Sequence, residues 1–344
     1  MPPLDVERST IARAVAVAAV LAVALLVIPL LGGDWITTFT SVAIYSVVAA
    51  GLGLLYGRVG MISLCQIALL AVGTWVAARF SYLWALPFPV LLLLAGAITA
   101  AVGVLIGLPA LRLTGLHLAL ITLMAAGAVT VILGQVNFPN GGGGFTGRGT
   151  GTANVDVPRP DWAISDTSFY RYTVIVCALM FALALLHVAG AAGRAWASIR
   201  ESEPAALAAG VNITLYKLWA FALASFITGV AGGLLAAQAG QPTIYIFPTQ
   251  DSITLVAAAL IGGVYSFWGA IVAGIFLRLV PKIFQDEWGI DVNFVLILFG
   301  IGLLQVLLTA PGGLVDQFPK DMAKLGRAVA GLFRRLAAAV RAPT

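Results

Sequence analysis

Charge is absent from long stretches of this chain: residues 14–31, 35–57, 81–111 and 113–147 contain no Asp, Glu, Lys or Arg. About 20 apolar residues carry a helix across the hydrocarbon core of a bilayer. Lipid offers no hydrogen bonds, so such segments must pair their own peptide groups, as helices do. The pattern predicts spans over 12–31, 37–56, 60–79, 85–109, 116–134, 171–190, 217–238, 252–265, 269–284 and 292–310. The expected fold class is an all-α integral membrane protein, a polytopic helix bundle of about ten spans. The pair 252–265 and 269–284 is short for full crossings, and a partly re-entrant pair is the alternative. Arg8 and Arg13 precede the first apolar run as in a signal peptide, but no small-x-small cleavage site stands at its end, so it reads as an uncleaved first span.

Three polar-bearing stretches interrupt or follow these runs. In 193–216, Pro204 cannot sit inside an established helix and opens a new one instead, giving two short helices joined at Ser202, Glu203 and Pro204. Ser202 or Glu203 caps the second helix, and Gly210 ends it, because glycine accepts the left-handed C′ conformation. Trp196, Ile199, Leu207 and Val211 are too few to span a bilayer. The stretch is either a surface element offered to a partner or a solvated loop helix. Residues 135–170 form the largest outer loop, with four glycines at 141–144 and no Gly-Lys-Ser/Thr after them, so no phosphate-binding loop is present. Asp156, Asp161, Trp162, Asp166 and Tyr170 make this loop a receiving surface for an external protein or a plain solvated loop. In 320–344, Met322, Leu325, Val329, Leu332, Leu336 and Val340 recur three or four apart among basic residues. That predicts a basic amphipathic helix on the anionic inner leaflet, with a disordered basic tail as the alternative.

Composition narrows the class further. The chain is 61% hydrophobic and 10% charged, against roughly 25% charged in soluble domains, which excludes a single soluble core. The net charge is +5, and thirteen of the nineteen Lys and Arg fall on the side of both predicted termini. By the positive-inside rule both termini of a multi-pass protein are cytoplasmic, and the charge reports topology rather than nucleic-acid binding. Cys65 and Cys177 lie in apolar segments without metal-ligand spacing. No His-Glu-x-x-His, no Gly-x-Ser-x-Gly and no acid pair within the spans point to catalysis, so no catalytic residue and no metal is expected. Ser63 and Gln66, three apart, share a face of a helix and either join helices by hydrogen bonds or line a polar path. Thr122 and Ser252 complete the candidates for a translocation path. Arg278 lies well inside a span and should snorkel or pair, with Asp286 and Glu287 as candidate partners.

Several segments together resemble one family. Arg200, Glu201, Glu203, Ala205, Ala206, Gly210, Val211, Asn212, Tyr216 and Lys217 follow its Arg-Glu-x-Glu, small-residue, Gly-Ile-Asn and Tyr-Lys pattern. Gly57, Gly60, Ser63 and Gln66 match a second motif, and Ala110, Leu111, Arg112, Leu113, Gly115, Leu116 and Ala119 a third. Gly229, Gly232, Pro242, Ser252, Ile253, Gly262, Gly263, Trp268 and Gly269 match its closing half. Over 37–315 the chain resembles the LivM-type permeases of ATP-binding-cassette importers for branched-chain amino acids. It departs at Pro204, at Leu207 and Thr254, where acidic residues are common, at Cys65 in place of glycine, and at Gly312 in place of arginine.

The resemblance implies a permease domain over 1–319, with a coupling loop at 191–216, and a separate tail at 320–344. It implies an importer subunit driven by partners docking on 193–216, through Arg200, Glu201, Glu203, Ala205, Ala206, Gly210 and Asn212. The implied partners are two cytoplasmic ATPase subunits, a second homologous permease and an external substrate-binding protein. ATP and Mg would be bound by the ATPases, leaving this chain without a cofactor and without enzymatic activity of its own. Permeases for urea or short-chain amides share these motifs and are the nearest alternative. An ATP-independent carrier or channel is the alternative of another class, and it calls for ionisable residues within the spans, where Arg278 stands nearly alone.

Overall fold

The structure, a computed structural model, describes residues 17, 20–84, 86–111, 113, 115–135, 157–289, 291–309 and 313–315. The described residues are mostly helical, with no strand among them. In chain order these begin with α1 (Val20–Leu30), then α2 (Gly33–Gly53), which runs on as a wider π-helical segment, Leu54–Val59. Next come α3 (Gln66–Trp84), α4 (Phe88–Ala110), α5 (Gly115–Gln135) and α6 (Asp166–Ala189). Two short helices, α7 (Ala191–Glu201) and α8 (Glu203–Ala208), lead into the long α9 (Ile213–Ala239). The chain closes with α10 (Asp251–Gly262), α11 (Phe267–Gly274), whose helical path continues to Glu287, and α12 (Val292–Thr309). Eight of the described segments are long and apolar enough to cross a membrane.

Helix α9 is the axis of the bundle because its sequence lets neighbours come close. Its 27 residues rise about 40 Å, and it packs against α2, α3 and α4. Of its most apolar stretch 89% is enclosed, against 28% for α5 and for α6, which therefore present their flanks outward. Small residues permit this closeness in lipid, where no hydrophobic force draws helices together and dispersion contacts must do so. A Cβ on Gly73 of α3 would lie 2.5 Å from the Gly229 carbonyl oxygen, and a Cβ on Gly229 only 2.6 Å from Thr99 of α4. The touching backbones are also stitched by polar groups. Thr74 Oγ1 lies 2.9 Å from the Leu70 carbonyl and 3.0 Å from that of Gly232, one bond within α3 and one across to α9. Gln238 Nε2 ties the far end of α9 to α2 through the Thr37 carbonyl at 2.7 Å and Ser41 Oγ at 2.8 Å. Thr74→Val keeps the shape and removes the cross-helix bond. It is expected to lower stability by about 0.6–2 kcal/mol, read as a lower unfolding temperature of the purified chain.

Most predicted spans stand within a few residues of their helices, and the largest departure is at 60–79. The span predicted over 60–79 begins six residues late, at Gln66, with residues 60–65 non-helical. Around the span predicted over 252–265 the α-helix itself has twelve residues, Asp251–Gly262, rising about 18 Å, and the segment long enough to cross starts earlier, at Ile244, and runs to Gly262. It ends where Gly263 turns at φ +109°. The helix predicted over 269–284 is longer than expected, 21 residues from Phe267 to Glu287. Arg278 is not held by Asp286 or Glu287: its guanidinium lies 3.8 Å from the Tyr45 ring centroid and is attracted by Asp251, while Asp286 pairs with Lys282 at 3.1 Å. Residues 136–156 of the outer loop, Arg112 and the tail at 320–344 lie outside the described residues.

Candidate functional site

The stretch 191–212 folds as the spacing of its polar residues dictates. Ser202 closes α7 and caps α8, its Oγ accepting from the Ala205 N–H at 3.4 Å, with Pro204 in the first turn. At the other end Gly210 adopts φ +80°. There the Val211 N–H reaches the Ala206 carbonyl and the Gly210 N–H that of Leu207, each at 3.0 Å, the paired bonds of a Schellman stop. Asn212 then caps α9, its Oδ1 accepting from the Leu215 N–H at 3.0 Å.

One side of this element is fastened to the bundle. Trp196 is wholly enclosed and donates Nε1 to the Tyr216 carbonyl at 2.8 Å, with Ile199 and Ala206 buried beside it. Arg200 donates Nη1 to the Gly57 carbonyl at 2.6 Å, and its guanidinium stacks 4.7 Å from the Tyr265 ring centroid. Glu203 Oε1 accepts from Lys217 Nζ at 2.7 Å, with the lysine side chain 4% exposed and the glutamate 42%. A lysine that deeply enclosed needs its counter-charge close by, so α8 is bound to the first turn of α9. The opposite side is open: Glu201, Ala205, Ala208, Ala209 and Gly210 are exposed, and Leu207 projects with 63% of its surface free.

A second polar locus lies deep in the bundle. The π-helical segment ends at Gly60, φ +84°, and the chain runs on without helix until Gln66 opens α3. Backbone of this kind at membrane depth requires protein partners. Met61 N–H finds the Leu55 carbonyl at 3.0 Å, and Leu64 N–H finds Thr122 Oγ1 of α5 at 2.9 Å. Ser63 Oγ sits 3.1 Å from Cys65 Sγ, both fully buried. Gln66 is 1% exposed and accepts at Oε1 from Thr228 Oγ1 of α9 at 2.8 Å. Ser63 and Gln66 therefore do not share a helical face, since only Gln66 is helical. Thr122 meets the backbone between them, whereas Ser252, buried on α10, has no hydrogen bond to any of the three.

Residues 35–307 match the family described as branched-chain amino acid transport system / permease component. The chain belongs to that family. It is 28% identical over 308 residues to the high-affinity branched-chain amino acid transport system permease protein LivM of Salmonella typhimurium, across 84% of this chain and 72% of that one. Against the protein of the same name from Escherichia coli it is 26% identical over 317 residues, with the same coverage. No solved structure matches the chain.

The motif residues of α7 and α8 stand in different surroundings. Of the acidic pair, Glu201 faces outward while Glu203 is turned onto Lys217. Arg200 is engaged with the π-helical segment, and Asn212 is a helix cap. Three residues of the element went unassigned in the sequence: Trp196 as its buried anchor, Lys217 as its ion-pair partner and Leu207 as its most exposed apolar side chain. Lys217 left a trace there, as a lone cation at the head of an apolar run otherwise free of charge.

Proposed function

We propose that this chain is the transmembrane subunit of an importer that moves branched-chain or related small amino acids across the inner membrane, driven by ATPase subunits docking on α7 and α8. The observation that carries this reading is the two-sided build of that element. Its inner side is fastened by Trp196, Arg200 and the Glu203–Lys217 pair, and its outer side offers Leu207 and small residues. A short helix laid into a partner's groove needs an open side of small residues that lets the partner approach closely. Glu201 adds a charge-assisted contact at the rim. ATP and Mg belong to the partner, and both termini lie on its side of the membrane.

Alternating access then follows from the fastenings. A push on α8 is passed through Lys217 to α9, and a push on α7 is passed through Arg200 to Gly57, three residues before the break at Gly60. Rocking of α9 against the break would alter the surroundings of Ser63, Gln66 and Thr122, which we assign to the substrate path, with Ser252 further along it. A second homologous permease would complete the path, and an external binding protein would deliver the substrate.

The test is uptake of labelled leucine into vesicles holding the complete importer. Ala205→Arg puts a long charged side chain on the exposed small-residue side of α8 and is expected to cut ATP-driven uptake at least tenfold, with the chain inserted at the normal level. Excess urea or acetamide should leave leucine uptake unchanged in the unaltered protein. Uptake that persists without ATP would refute the reading, and competition by the amides would move the substrate class to them.

A further inference from the structure

We infer that the cleft between the π-helical segment and α7 holds the headgroup of an anionic phospholipid. It is an open hollow of about 500 Å³ whose wall includes Gly57, Arg58, Val188, Arg194, Arg200 and Glu201. Three arginines and one glutamate thus line it. Among the described residues none of the three arginines makes an ion pair with an acid. Arg58 is half-buried, 5.8 Å from the Phe267 ring centroid, and close enough to Arg200 for the two like charges to repel. Gathering like charges in a partly enclosed place is costly unless an anion neutralises them.

The surroundings select the kind of anion. Val188 lies in the last turn of α6, an apolar helix of 24 residues that ends immediately before α7. Its flank is open, with Leu179, Leu185 and Leu186 exposed by 59%, 48% and 70%. Leu179 and Leu186 lie round the far side from Val188, but the near edge of this apolar, outward-facing side, at Leu185, stands one turn before it, so the flank borders a basic hollow at the end of the helix. That is the arrangement of a lipid site, with acyl chains along α6 and a phosphate among the arginines. On the topology proposed above, the hollow opens to the inner leaflet. A lipid seated there would bridge Arg58 on the bundle to Arg194 and Arg200 on α7 and hold the coupling element against the bundle. That consequence rests on the proposed docking role, whereas the binding itself does not.

Native mass spectrometry of the purified full chain, titrated with phosphatidylglycerol or phosphatidylethanolamine, tests the site without any ATPase. Phosphatidylglycerol should bind selectively, and Arg58→Gln with Arg194→Gln should lower its occupancy at least fivefold. Arg194→Gln alone, at an exposed position, should lower it at least twofold and guards against misfolding of the double variant. Arg148→Gln with Arg171→Gln, an equal loss of charge on the predicted outer side, should leave it unchanged. Equal loss in that control would overturn the proposal, since binding would then track net charge alone. Displacement of the lipid by millimolar inorganic phosphate would overturn it in favour of a free-anion site. Unchanged lipid binding in the arginine variants, with loss of the co-purifying ATPase, would overturn it in favour of a protein contact. Failure of Ala205→Arg to affect uptake would remove the docking role and leave these lipid measurements as they stand.

Discussion

Gly73→Leu is expected to leave almost no folded protein in the membrane. The position faces backbone, not a flexible side chain: a Cβ there would sit 2.5 Å from the Gly229 carbonyl oxygen and 2.7 Å from the Gly229 Cα. Neither can move without driving α3 away from α9. Separation would also break the bonds from Thr74 to the Gly232 carbonyl and from Thr228 to Gln66. Overpacking costs about 1–3 kcal/mol and occasionally more, and each lost interhelical bond adds roughly 0.6–2 kcal/mol. Together these take most of the margin of an ordinary fold. Gly134→Leu on α5, where nothing lies within 4 Å of the added atom, is the control and should accumulate normally. The monodisperse fraction on size exclusion in detergent reads the difference, and equal yields of the two variants would show that the close crossing is not required.

Glu203→Ala is expected to destabilise the permease more than the double variant Glu203→Ala, Lys217→Met. The single change strands an ammonium whose side chain is 4% exposed, at a cost of about 1–3 kcal/mol or more for a charged group. The partly exposed carboxylate keeps the value below that of a fully buried pair. Methionine at 217 removes the unpaired charge while filling similar volume, so the second substitution should recover part of the loss. Unfolding temperatures of the unaltered chain, both single variants and the double variant close the cycle. Additive losses would mean that the 2.7 Å contact carries no coupling. Uptake should fall with Glu203→Ala even where folding is adequate, because α8 is then no longer bound to α9.

The parts of this fold that were legible in the sequence are those with local punctuation. Ser202, Pro204 and Gly210 mark the ends of α7 and α8 by capping chemistry alone, and the apolar runs of α4, α5, α9 and α12 outline their helices closely. The break at residues 60–65 was not legible, because Met61, Ile62, Leu64 and Cys65 continue the apolar run. What allows non-helical backbone there is Thr122, 58 residues beyond Leu64, and no local pattern encodes a partner at that distance. The same reason hid the direction of Glu203. A helix of six residues has too little periodicity to separate its inward and outward sides, and only the entry of α9 brings Lys217 beneath it. For Arg278, charge suggested an acidic neighbour near in sequence, while the tertiary packing supplied the face of Tyr45.

Purification of the tagged chain from its native membrane, with identification of the proteins that accompany it, tests the central claim most directly. The account predicts an ATPase subunit in the eluate, retained with the unaltered chain and with Gly134→Leu, and lost with Ala205→Arg. A chain that purifies without any ATPase, and that carries leucine into proteoliposomes lacking ATP, would contradict it.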